Sequence, residues 1–136
     1  MSEISESDTQ RLIDGARAAM DGSYSPYSRF AVGAALLADD GRIFTGANVE
    51  NSSYGLTICA ERVALVKAVT EGVRHFQGLA LQTSSGRFVT PCGACRQVLA
   101  EFCADLLIWI STDEGVRKLS LRELLPLAFS PADLTQ

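Results

Sequence analysis

Cys59-Ala60-Glu61 is followed, 33 positions after Cys59, by Cys92 in the run Pro91-Cys92-Gly93-Ala94-Cys95. Three thiols and one carboxylate at this spacing make an open zinc site with a proton acceptor beside it. Three protein ligands leave a fourth tetrahedral position for water, the arrangement of a catalytic zinc rather than a structural one. To share one metal, two distant segments must converge. Cys92 and Cys95 are three residues apart and lie on one helix face. Thr90 suits an N-cap and Pro91 the first helical position. Both thiols then fall in a first turn, where the positive end of the helix favours thiolates. Cys59 also falls near a predicted helix start, so two helix N-termini would face the same ion.

Glu61 neighbours a ligand without being one. Its predicted role is to take a proton from the water that zinc acidifies and to return it to the substrate. Three thiolates carry more negative charge than zinc neutralises, so a cation should withdraw charge from the sulfurs. Arg62, three residues after Cys59 on the same helix, is the expected donor. Arg96 and Gln97 follow the last ligand with no assigned role. His75, the only histidine, lies outside both motifs and reads as a strand-entry or surface residue. Cys103 reads as a packed thiol.

At 136 residues the chain is expected to form one domain, residues 1–136, with a real core. No apolar run approaches the roughly 20 residues of a membrane helix. The start, Met1-Ser2-Glu3-Ile4-Ser5-Glu6, is acidic and lacks the pattern of a secretory signal. A cytoplasmic location is expected, where the four cysteines serve as ligands or buried thiols rather than disulfides. The net charge of −4 and the absence of a basic block disfavour a nucleic-acid partner and favour a small-molecule substrate.

The pattern predicts a first helix over residues 8–21, with Ser7 and Gln10 as a capping box and Leu12, Ile13, Ala16, Ala19 and Met20 as its apolar stripe. A loop follows over 22–28. Residues 30–37 and 42–48 read as strands joined by the Asp39-Asp40-Gly41 turn. Residues 49–56 read as an irregular polar loop. A second helix should start near Thr57 or Ile58 and stop before Gly72. A strand over 79–83, a helix over 92–103, a strand over 106–111, a weak strand near 116–119 and a short helix near 121–125 complete the chain. Strands alternating with helices imply an α/β layered domain.

The ligand spacing resembles that of zinc nucleobase deaminases in general. Nearly the whole chain resembles, more specifically, the small homotetrameric zinc-dependent cytidine deaminases of nucleoside (pyrimidine) salvage. The likeness runs through Tyr24-Ser25-Pro26-Tyr27-Ser28-Arg29-Phe30-Ala31-Val32-Gly33-Ala34-Ala35 and Gly46-Ala47-Asn48-Val49-Glu50-Asn51-Ser52-Ser53-Tyr54-Gly55-Leu56-Thr57-Ile58-Cys59-Ala60-Glu61-Arg62. It continues through Pro91-Cys92-Gly93-Ala94-Cys95-Arg96-Gln97-Val98-Leu99-Ala100-Glu101-Phe102 and the tail from Leu124 to Leu134. The tail has Ser130 between Phe129 and Pro131, where many members have glycine.

The resemblance implies a three-layer fold with a mixed five-stranded sheet flanked by helices. It implies one zinc per chain on Cys59, Cys92 and Cys95, with Glu61 as the catalytic proton shuttle. Asn48 and Glu50 match ribose-hydroxyl binders, the backbone N–H of Ala60 matches a donor to the pyrimidine, and Phe30 matches a pocket wall. Ser52 and Tyr54 correspond to positions that reach a neighbour's site. Phe129 corresponds to an aromatic that stacks on the base from another subunit. The implied reaction is hydrolytic deamination of cytidine and 2′-deoxycytidine to uridine and 2′-deoxyuridine. A deaminase of a blasticidin-type antibiotic or another modified nucleoside would share the zinc motifs. A non-catalytic zinc module would need a fourth protein ligand, for example Cys103.

Overall fold

The computed structural model describes residues 4–134. Five strands form one mixed sheet in the order β2-β1-β3-β4-β5: β1 Val32–Ala38, β2 Ile43–Ala47, β3 Phe76–Thr83, β4 Leu107–Thr112 and β5 Gly115–Ser120. Only the β3–β4 pair is parallel; the other neighbours are antiparallel. The parallel pair needs a crossover, and α3 (Gly93–Phe102) supplies it. α1 (Glu6–Ala19), α2 (Ala60–Thr70) and α4 (Leu121–Leu124) are the other helices.

Alternation along the strands creates two cores. Ala35 and Leu37 of β1, Ala80 of β3 and Trp109 of β4 face Leu12, Ile13 and Ala16 of α1. The intervening Ala34, Leu36, Leu79, Leu81, Ile108 and Ile110 face Ala60, Ala64, Leu65 and Ala68 of α2 and Leu99 of α3. The sheet is thus covered on both faces, which explains why its central strands read as apolar runs rather than alternating ones. Each fully buried leucine contributes about 1.5–3 kcal/mol. This is the three-layer α/β architecture that the sequence implied. No helix among the described residues is long and apolar enough to cross a membrane.

Several boundaries differ from the sequence reading, each for a local reason. Ser5, not Ser7, caps α1: its Oγ accepts from the N–H of Asp8 at 3.0 Å, while Gln10 is spent on Asp14. The helix narrows to a 3-10 turn over Met20–Gly22. α2 starts at Ala60 rather than near Thr57, because Ile58 exchanges both backbone hydrogen bonds with Val49 at 2.9 Å and is held extended. α3 is capped by Cys92 rather than Thr90. The Thr90 hydroxyl and the Pro91 carbonyl instead accept from Arg96 at 2.8 and 2.7 Å. β3 begins at Phe76, earlier than the apolar run suggested, and a 3-10 turn over Pro131–Leu134 was not anticipated. His75 is exposed just before β3, as expected.

Two glycines allow the helices to sit this close to the sheet. A Cβ on Gly33 would lie 2.0 Å from the carbonyl oxygen of Ala16 in α1. One on Gly46 would lie 2.6 Å from the backbone N of Ala64 and 2.7 Å from the carbonyl oxygen of Ala60 in α2. Gly46 therefore sets how deeply the first turn of α2 seats against β2.

Candidate metal centre and adjoining pocket

α2 and α3 cover the same face of the sheet, and their N-termini meet. Cys59 is the N-cap of α2; Cys92 is the N-cap of α3, and Cys95 lies in its first turn. The Cys59 and Cys92 sulfurs are 3.8 Å apart, those of Cys92 and Cys95 3.4 Å, and all three lie within 4.8 Å of one another. All three are free thiols. Zinc–sulfur bonds of about 2.3 Å in a tetrahedron place sulfurs about 3.8 Å apart, so this donor set fits a zinc ion. Neither sulfur caps the backbone N–H groups of its own helix, so both remain turned to the cluster. Cys95 is buried, Cys59 half-buried and Cys92 exposed, so the centre is reached from the Cys92 side.

Cys103 is not part of this cluster. Its thiol donates to the carbonyl of Phe76 at 3.1 Å, and burial pushes it up from the ordinary thiol value. A closed four-cysteine site is therefore not formed among the described residues.

The electrostatics are strongly divided. A hydrogen bond from the Cys95 thiol, with Arg62 and Cys92 adding to it, pulls Cys59 down to about 5 against the opposing effect of burial. Cys95, as the donor of that bond and a buried thiol, is pushed well up. Arg62 Nη2 is 3.8 Å from Cys59 Sγ, so the anticipated cation stands at the thiolate; its Nε is buried and makes no hydrogen bond. Glu61, only 5% exposed, is pushed up to about 7, first by burial and then by the charge of Cys59. A carboxyl near neutrality is suited to both accepting and donating a proton.

A cavity of about 390 Å³ is lined by Tyr27, Ser28, Glu50, Tyr54 and Thr57, and is joined to this centre through Thr57, whose carbonyl accepts from Arg62 at 3.4 Å. The rings of Tyr27 and Tyr54 meet edge to face at 5.8 Å. Glu50 Oε1 accepts from the N–H groups of Tyr27 and Ser28 at 2.9 and 3.2 Å, and its Oε2 from the Ser28 hydroxyl at 2.5 Å. The hydroxyl bond, followed by the two N–H groups, holds this carboxyl below the usual range. Asn48 is buried: its Oδ1 accepts from Ser23 Oγ at 2.5 Å and Val32 N at 2.9 Å, and its Nδ2 donates to the Phe30 carbonyl at 2.8 Å. Arg29 adopts φ 59°, a left-handed turn that lets Ser28 Oγ reach both Glu50 and the Phe30 N–H.

The structure therefore gathers Cys59, Cys92, Cys95 and Arg62 at one point, with Ala60 and Glu61 beginning α2 there, and sets Glu50 and Tyr54 on the adjoining cavity. Phe30 is half-buried and joined to Asn48 through its carbonyl. Ser52 and Phe129 are exposed, and neither lines this cavity. Tyr27, Ser28 and Thr57 line it without having been singled out from sequence. The signal for Ser28 was Glu50: a carboxylate in a polar loop needs donors, and the Tyr24–Ser28 loop is rich in them.

The family model for the cytidine and deoxycytidylate deaminase zinc-binding region matches residues 6–111. A cytidine deaminase of Halalkalibacterium halodurans is 51% identical over 129 residues, spanning 93% of this chain and 98% of that protein. A probable cytidine deaminase of Dictyostelium discoideum is 47% identical over 132 residues, covering 96% of this chain and 90% of the relative. Among solved structures, a cytidine deaminase from Burkholderia pseudomallei superposes with a TM-score of 0.85 at 43% identity, over 93% of this chain and all of the other.

Proposed function

The chain belongs to the family of small zinc-dependent cytidine deaminases, and from that premise we propose that it is a hydrolase converting cytidine, and 2′-deoxycytidine, to the corresponding uridine with release of ammonia. The observation that carries the reading is the meeting of Cys59, Cys92 and Cys95 within 4.8 Å at two helix N-termini, next to the buried Glu61. Zinc is the cofactor, with these three thiols as its ligands, and when bound it acidifies a water so that a nucleophile is available near neutral pH.

The residues divide the remaining work. Glu61 takes the proton of the attacking water and passes it to the ring nitrogen beside the amine-bearing carbon. It then takes the second proton, from the hydroxyl added to that carbon, and delivers it to the amine; the carbonyl forms as the carbon–nitrogen bond breaks and ammonia leaves. A carboxyl raised to about 7 supports both transfers. Arg62 offsets the charge of the thiolates, and the N–H of Ala60, at the free-donor end of α2, is available to the pyrimidine. Glu50 and Asn48 bind the ribose hydroxyls. Their own hydrogen bonds fix them before substrate arrives, which reduces the ordering cost of binding. Phe30 walls the base.

The assembled form is proposed to be a homotetramer with shared sites. Tyr54 is 72% and Phe129 56% exposed in the single chain, as residues that reach into a neighbour would be. Leu56 in the same 3-10 turn as Tyr54, and Tyr24, Val49 and Ile58, which are bridged to one another, are exposed as well.

The test is to incubate metal-assayed protein with cytidine and follow the loss of cytosine absorbance. Conversion to uridine with about one zinc per chain is expected. Bound zinc without turnover would shift the substrate to a blasticidin-type or other modified cytidine. Zinc that is absent and cannot be restored would overturn the three-thiol site.

A further inference from the structure

Two consecutive side chains leave α3 directly after Cys95 and grip the C-terminal tail. Arg96 Nη1 donates to the carbonyl of Leu124 at 2.8 Å, and Gln97 Nε2 donates to the carbonyl of Phe129 at 2.8 Å. Arg96 is also held on its other side, by the Pro91 carbonyl at 2.7 Å and Thr90 Oγ1 at 2.8 Å. One guanidinium thereby ties the segment entering Cys92 to the end of α4.

Between the two gripped carbonyls the chain passes through Leu127 with φ 56° and its side chain fully exposed. A leucine keeps that left-handed conformation only where its surroundings fix it. The exposed side chain adds no core packing, so hydrogen bonds hold the turn: the anchors at Leu124 and Phe129, the Leu125 N–H on the Leu121 carbonyl at 2.9 Å and the Ser130 N–H on Asp133 at 2.8 Å. The result is an aromatic ring that is 56% exposed on a backbone whose carbonyl is held by Gln97. The ring borders a groove of its own chain lined by Ala100, Leu121, Leu125 and Leu127, and more than half of it remains open to a second chain.

We propose that Gln97 is the positioning residue for Phe129, indexing the ring to the metal-bearing helix so that it is presented at a defined place to the neighbouring subunit's site. The proposal rests on the reading that Phe129 covers the base bound by a neighbour. It adds that the metal helix of one chain and the substrate pocket of the next are joined at the ring through the Gln97 carboxamide. Arg96 fixes the other end of the same turn.

The test compares four tetrameric, zinc-loaded enzymes: the parent, Gln97→Glu, Phe129→Ala and the double variant. Gln97→Glu keeps the size of the side chain and removes the N–H donor. It is expected to raise KM for cytidine about fivefold, the factor of one net hydrogen bond, with kcat within about twofold. Phe129→Ala should also raise KM, and the double variant should be no worse than Phe129→Ala alone, because both act through one ring. A brace of purely structural value would instead lower stability and leave this non-additivity absent. Unchanged KM in Gln97→Glu beside an impaired Phe129→Ala, or effects that multiply in the double variant, would overturn the positioning role and leave the covering role standing. Unchanged KM in Phe129→Ala would overturn the covering role and the positioning role with it. Gln97→Ala, which adds no charge, carries the same comparison if the carboxylate disturbs assembly.

Discussion

Arg62 Nη2 stands 3.8 Å from Cys59 Sγ and 3.4 Å from the carbonyl of Thr57, so one guanidinium binds both a metal ligand and the backbone two residues before it. The contact lowers the charge density on a sulfur that is itself pulled down to about 5. Gln at this position keeps a polar group but not the charge. Arg62→Gln is expected to lower zinc affinity or turnover by about 10–100-fold. Competition with a chromogenic chelator and steady-state rates check this; parent-like values for both would remove Arg62 from the site.

Glu61→Gln preserves volume at a site only 5% exposed and takes away the proton acceptor. Zinc content should be unchanged. Turnover should fall by at least about 10²–10⁴-fold, the contribution of a positioned general acid and base. Near-normal activity in a zinc-replete variant would refute the shuttle.

Much of this centre was legible because its chemistry is local in sequence. Cys59-x-Glu61 and Cys92-x-x-Cys95 name the donors, and the three-residue spacing puts the second pair in one helical turn. The helix start itself was misread: Thr90-Pro91 has the composition of a cap, yet Thr90 is engaged by Arg96, a partner six residues on that composition cannot weigh. Likewise Ile58 has no helix-breaking character; a bridge to Val49 delays α2. Burial of Glu61, and hence its raised pKa, depends on packing between α2 and the sheet that no local pattern displays. Central strands β1, β3 and β4 were found by their apolar runs, but β3 starts three residues early because Phe76 enters the core from a polar-looking flank.

Zinc removal should separate chemistry from folding. The two cores on either face of the sheet do not depend on the ligands, unlike a zinc finger whose fold is its metal site. Chelation is expected to abolish activity while the far-ultraviolet circular dichroism persists; collapse of the spectrum would make the metal structural. In the stripped protein the Glu61 carboxyl lies near 7 when folded against an ordinary 4.5. The folded state then holds the extra proton, so this group's contribution is fully present below about pH 4.5 and is lost as pH rises to about 7. Glu61→Gln should gain on the parent in urea midpoint between pH 5 and pH 8. A pH-independent difference would show that burial leaves the carboxyl unperturbed.

Assembly has a direct readout. Light scattering should report about four chains per particle, the state in which Tyr54 and Phe129 would be covered. Dilution to the monomer should abolish turnover, since each pocket would lose its neighbour's residues. An active monomer would sink the shared-site model.

The seat of α2 rests on an absent methyl group. Gly46 Cβ, if present, would lie 2.6 Å from the Ala64 nitrogen, 2.7 Å from the Ala60 oxygen and 3.0 Å from Val63 Cβ. The first two are helix backbone and cannot rotate aside, so relief requires α2 to lift from β2. Cys59 and Glu61 ride on that turn, and Asn48 follows two residues after Gly46 on the same strand exit. Gly46→Ala is therefore expected to cost about 1–3 kcal/mol in urea unfolding and also to reduce activity in the fraction that remains folded. Gly41 is the control: it borders open space, but at φ 92° it needs a conformation that alanine resists. Gly41→Ala should strain the β1–β2 turn and lower stability while leaving kcat near the parent value. Equal losses of kcat in the two variants would mean that the close approach of Gly46 to Ala60 does not position the site.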